Sequence, residues 1–84
     1  MTPAIAKVLL QFAKYKLSCM QVELPGVENY AKVSMQKQRG EDGWGDPKIW
    51  AGVGDEAAAE LQDLRENIQL HEQAIADLEK EATK

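Results

Sequence analysis

From Ala57 to Ala82 the chain returns to an apolar position at alternating steps of four and three: Ala57, Leu61, Leu64, Ile68, position 71, Ile75, Leu78 and Ala82. On a helix of 3.6 residues per turn this spacing draws one continuous stripe, and four heptads of it support a coiled-coil reading. Leu61, Ile68, Ile75 and Ala82 are then a positions; Ala57, Leu64, His71 and Leu78 are d positions. The pattern predicts a helix over about 55–82. Asp55 would cap it, Glu56 and Glu60 sit in its positive first turns, and Lys80 and Lys84 lie near its negative end. At 1.5 Å per residue such a helix is roughly 40 Å long.

The stripe has one anomaly. Position 71 is a histidine, the only one in the chain. Either the seam turns here and His71 lies at a solvated edge, or a polar d residue fixes the register of a helical partner.

A second long pattern opens the chain. Thr2 supplies a capping hydroxyl and Pro3 occupies the first helical position, where its missing N–H costs nothing. Ala6, Leu10, Ala13, Leu17, Met20 and Leu24 form one stripe, and Ile5, Val8, Leu9, Phe12, Tyr15 and Cys19 lie beside it. The expected helix covers about 3–23 and stops at Pro25-Gly26, because a residue before proline is pushed out of the helical region.

The segment 27–39 admits two readings. As a helix it would bury Val27, Tyr30, Ala31, Ser34 and Met35 and end at Gly40. As a strand, its Ala31, Val33 and Met35 would pair with Met20, Val22 and Leu24, giving an α+β fold with a β-hairpin at about 17–37. Few β-branched residues favour the helix. Residues 40–54 are a glycine-punctuated loop, in which Asp46 and Gly52 would bracket one helical turn with Ile49, Trp50 and Val53 as its buried side. The fold expected is therefore mainly α, a hairpin of two long helices around a short central helix and a Trp-bearing loop.

At 84 residues this is a single small domain, near the lower limit for folding without disulfides or metal. The lone Cys19 excludes an internal disulfide and agrees with a reducing compartment, so a cytoplasmic location is expected. Of the 37 hydrophobic residues 11 are alanine, leaving 26 larger ones, a thin core that suggests burial against another chain. Charge is divided unevenly. Residues 1–40 carry six bases against two acids, and residues 41–84 carry four bases against twelve acids. The two parts should attract one another, within or between chains. An acidic chain without an Arg-rich run argues against nucleic acid as a partner, and no apolar run is long enough to span a membrane.

Chemistry-bearing motifs are sparse. Cys19 and His71 lack an orienting third group, so no catalytic residue is assigned. The "EDGWGD" stretch fails as a calcium loop, since Trp44 cannot ligate and Pro47 stands where glycine is needed. The glycines are not followed by Gly-Lys-Ser/Thr, and no metal or cofactor is expected. Tryptophan is strongly enriched among binding hot spots, which makes Trp44, Trp50 and Ile49 candidate partner-binding residues. Leu61, Leu64, Ile68, His71, Ile75 and Leu78 are the candidate oligomer seam. The expected function is a non-enzymatic protein–protein interaction module: a homo-oligomeric adaptor, an assembly factor or a small inhibitor of a larger protein. Small acidic chains of this kind include phage proteins, a statement about the class that rests on no residue here. The alternative is a small anionic-ligand or nucleotide site between subunits, served by Lys14, Lys16 and Lys32 with an aromatic ring to stack on.

Overall fold

The computed structural model describes residues 1–40 and 48–84. It contains two helices, α1 (Pro3–Arg39) and α2 (Val53–Ala82), and no strand among the described residues. The β-hairpin alternative is thereby corrected: 17–37 is helical throughout. The helix start is as the sequence predicts, with the Ile5 N–H donating to Thr2 Oγ1 at 3.2 Å.

The stop predicted at Pro25 is the main correction. The helix α1 continues through Pro25 and Gly26 to Arg39. The proline removes one intrahelical hydrogen bond and crowds the carbonyl of Gln21, at about 3 kcal/mol. The compensation is visible in the stripe. Beyond Leu24 it runs on through Val27, Ala31, Ser34 and Gln38 at the same three-four spacing, and Ala31 and Ser34 are fully covered. Pro25 and Gly26 lie on the exposed side, where water can serve the orphaned carbonyl. Burial of the stripe outweighs the local preference.

Gly40 ends α1 with a left-handed φ of 72°, its N–H donating to the Lys37 carbonyl at 3.1 Å. The expected short central helix is not found among the described residues: 48–52 form turns and a bend. Ile49 is exposed rather than buried, while Trp50 and Val53 are half-buried. Gly52 adopts φ 84°, outside the helical region, which breaks any turn begun before it. Its carbonyl accepts the Glu56 N–H at 2.9 Å, so α2 starts two residues ahead of Asp55. Asp46, the cap proposed for that turn, lies outside the described residues.

The chain divides into two compact units, each pairing part of α1 with part of α2. Unit 1 comprises Met1–Val22 and Glu66–Lys84, with Ala6, Met20 and Ile68 buried. Unit 2, Glu23–Arg65, is a helical hairpin in itself. Its ion pair Glu28–Arg65, at 3.6 Å, and its Gln38–Asp55 hydrogen bonds show the two segments running antiparallel. Among the described residues of unit 2 the buried ones are Ala31, Ser34, Gly54 and Ala57, all small, so the helices approach closely. A Cβ built on Gly54 would stand 2.6 Å from Gln38 Oε1 and 3.1 Å from Met35 Cα.

Candidate functional site

In unit 1 the two apolar stripes of the N-terminal sequence have different fates. Ala6, Leu10, Ala13, Leu17 and Met20 are buried or half-buried. The neighbouring row stays outside: Ile5 is 52% exposed, Val8 53%, Phe12 68% and Tyr15 73%, with Val22 at 80% continuing the line. Cys19, within the same row, is a half-buried free thiol. Nothing in the helix itself requires this row to be apolar, because Ala6–Met20 already supplies the core-facing stripe.

One edge of the row opens into a groove of about 600 Å³. Leu9, Phe12 and Lys16 of α1 form one wall, and Leu70, His71 and Leu78 of α2 form the other. Leu70 is also largely exposed. His71 is half-buried, and its Nδ1 lies 2.7 Å from the backbone oxygen of Asn67, one turn earlier. A carbonyl oxygen can only accept, so Nδ1 carries the proton in this contact. On its other flank, unit 1 is tied by Lys14 Nζ to Glu79 Oε1 at 3.6 Å, a link between the basic and acidic parts of the sequence within one chain. Such exposed pairs contribute at most about 1 kcal/mol.

The residues singled out in sequence are distributed as follows. The seam positions Leu61, Leu64, His71, Ile75 and Leu78 are half-buried and Ile68 is buried within the single chain. Much of the seam is therefore already covered intramolecularly. Of the candidate anion-binding lysines, Lys14 is paired with Glu79, Lys16 lines the groove, and Lys32 belongs to unit 2. There Lys32 lines a recess of about 530 Å³ with Arg39, Arg65 and Glu28. Trp50 carries Lys37 Nζ 4.7 Å above its ring, a cation–π contact that anchors the turn to α1. Trp44 lies outside the described residues. Among the described residues no cluster of His, Cys, Asp or Glu is placed to hold a metal ion, and no helix is long and apolar enough to cross a membrane.

The exposed row was legible as a stripe in the sequence. That it faces outward follows only from which stripe the second helix covers. Comparison with known protein families, curated proteins and solved structures found no match.

Proposed function

We propose that this chain is a non-enzymatic interaction module that works by presenting a helical surface to other proteins, as an adaptor, an assembly factor or a small inhibitor. The observation that carries the reading is the outward row Ile5, Val8, Phe12, Tyr15 and Val22 with the adjoining groove. Monomeric proteins seldom leave a contiguous apolar patch of more than a few hundred Å² uncovered without a use for it. Aromatic residues at its centre are the type most enriched in binding hot spots. His71 bonds the backbone of its own helix, which supports a structural use of that imidazole. A pull-down from the native host tests the proposal. Wild-type bait should retain a protein that Phe12→Glu bait loses, while Val33→Glu, an exposed change in unit 2, retains it. Equal retention by all three baits would refute it.

A second reading is supported by the recess of unit 2, which Lys32 and Arg65 line together with Glu28. A small anionic ligand would be drawn to Lys32 at that recess. Titrating inorganic phosphate or a nucleotide while following Trp50 and Trp44 fluorescence tests it, and silence at millimolar ligand would exclude it.

A further inference from the structure

We infer that the outward row on α1 is the contact face for a second copy of this chain, packed antiparallel along the same row. The inference rests on the interaction reading above and names its partner. Three observations lead to it.

The first is the spacing. Ile5, Val8, Phe12, Tyr15, Cys19 and Val22 follow one another at three, four, three, four and three. That is a second heptad seam on a helix whose first seam is already occupied, and it stops at Gly26, where the next a position would fall. Antiparallel helices place a positions opposite d positions. Here that gives the layers Ile5 with Val22 of the second copy, Val8 with Cys19, and Phe12 with Tyr15, each layer occurring twice. A row that reads the same against itself is what a two-fold interface requires.

The second is area. Scaling the exposed fractions of Ile5, Val8, Leu9, Phe12, Tyr15 and Val22 by ordinary side-chain areas gives roughly 600 Å² per copy. A standard stable interface takes about 800 Å² from each partner, which the polar edges Gln11, Lys16 and Ser18 would complete.

The third is charge. Residues 1–22 hold Lys7, Lys14 and Lys16 and no acid, and the first turn of α1 has no acidic residue to offset its positive helix end. Parallel packing would set two such ends side by side. In the antiparallel register each end meets the Val22–Glu23 region of the other copy, and Glu23 supplies the missing carboxylate. An anionic lipid surface is the competing partner for a basic amphipathic helix. It is disfavoured because the α2 segment of the same unit carries Glu66, Glu72, Asp77, Glu79 and Glu81 against Lys80 and Lys84.

The test is sedimentation equilibrium of wild type, Phe12→Glu and Tyr15→Glu, followed by oxidative cross-linking with copper–phenanthroline. Wild type should be dimeric at tens of micromolar, about 50 µM being a convenient loading. Each substitution should weaken association at least tenfold. Helical circular dichroism should be unchanged, because both side chains are mostly outside the fold. In the antiparallel arrangement Cys19 faces Val8 of the other copy, so Val8→Cys should form disulfide-linked dimers on oxidation and wild type should not. A monomeric wild type overturns the inference, as does a dimer indifferent to both substitutions. Rapid Cys19–Cys19 cross-linking in wild type overturns the antiparallel order. Monomers that bind phosphatidylglycerol vesicles through Phe12 would assign the row to lipid and overturn it too. If the inference fails while Phe12→Glu still abolishes capture in the pull-down, the interaction reading stands with a different partner.

Discussion

Gly54→Ala should destabilise the protein although it adds a better helix former. Alanine gains up to about 1 kcal/mol over glycine in a helix interior, and less in a first turn such as this. Against that gain, the new methyl would stand 2.6 Å from Gln38 Oε1, 3.1 Å from its Cδ and 3.1 Å from Met35 Cα. The glutamine can swing away. Doing so gives up the hydrogen bond it accepts from the Asp55 N–H and the one its Nε2 donates to Asp55 Oδ1, both 3.2 Å. Each is worth about 0.5–1.5 kcal/mol, and the first satisfies one of the orphan donors at the start of α2. The backbone of α1 at Met35 cannot swing. The helices of unit 2 would have to part by a few tenths of an ångström, and overpacking of that kind costs about 1–3 kcal/mol. The net expectation is a loss of at least about 1 kcal/mol. At about 4–8 °C per kcal/mol for a domain of this size, the melting temperature falls by at least about 4–8 °C. Urea unfolding followed by far-ultraviolet circular dichroism, at one fixed protein concentration, measures it. Gln38→Ala and the double variant apportion the loss between side-chain and backbone clash. A Gly54→Ala protein as stable as wild type would show that α1 and α2 have slack here, and the close-approach argument would be wrong.

Pro25→Ala restores an N–H to the exposed side of α1 and should stabilise by about 1–3 kcal/mol in urea unfolding, and no gain would mean that the helix has absorbed the proline without strain. His71→Leu completes the seam of α2 at the cost of one bond to a local carbonyl. It should raise stability by about 1 kcal/mol, measured as a shift in the urea midpoint, whereas a loss would mark the Asn67 contact as structural. The Glu81 carboxyl is held below the usual carboxylate range by its hydrogen bond from Lys84 and by the charge of that lysine. A lowered carboxyl contributes while ionised, so the Lys84 tether should persist at neutral pH and be lost as pH falls through the folded-state value. Titration of the Glu81 side chain by NMR should show the midpoint rising in Lys84→Ala, and an unmoved midpoint would discard the pairing.

Much of the fold was legible because helical periodicity depends on the chain alone. The Thr2 cap, the Gly40 terminator and the buried stripe Ala6–Leu24 stand where the spacing puts them. The error at Pro25 came from weighing a local steric rule above the stripe, which continues unbroken from Leu24 through Val27, Ala31 and Ser34. The alanines of these stripes turn out to be central, since Ala6, Ala31 and Ala57 are among the most buried positions. Small side chains let helices come close, and that cannot be seen until both partners are known. The same holds for Gly54, which reads as a turn glycine in isolation, and for Ile49, whose exposure follows from the turn at 48–52. The candidate surface was half legible: its residues form a visible row, but the row looks equivalent to its neighbour until α2 covers one of them.

The antiparallel pairing of unit 2 also bears on the order of folding. Gln38 and Asp55 are only 17 residues apart, whereas Lys14 and Glu79 are joined across most of the chain. Closing the shorter loop loses less chain entropy, so the connector end of the protein should nucleate first. Substitutions at Ala31 or Ala57 should then slow folding, and those at Met20 or Ile68 should mainly speed unfolding, as chevron analysis would show. During synthesis residues 1–22 are made, and leave the ribosome, before residues 66–84 can fold back to cover them in unit 1. For that interval the nascent N-terminal helix displays both of its apolar stripes, and under the pairing proposed above a neighbouring chain on the same messenger would meet the outer one before the inner one is closed.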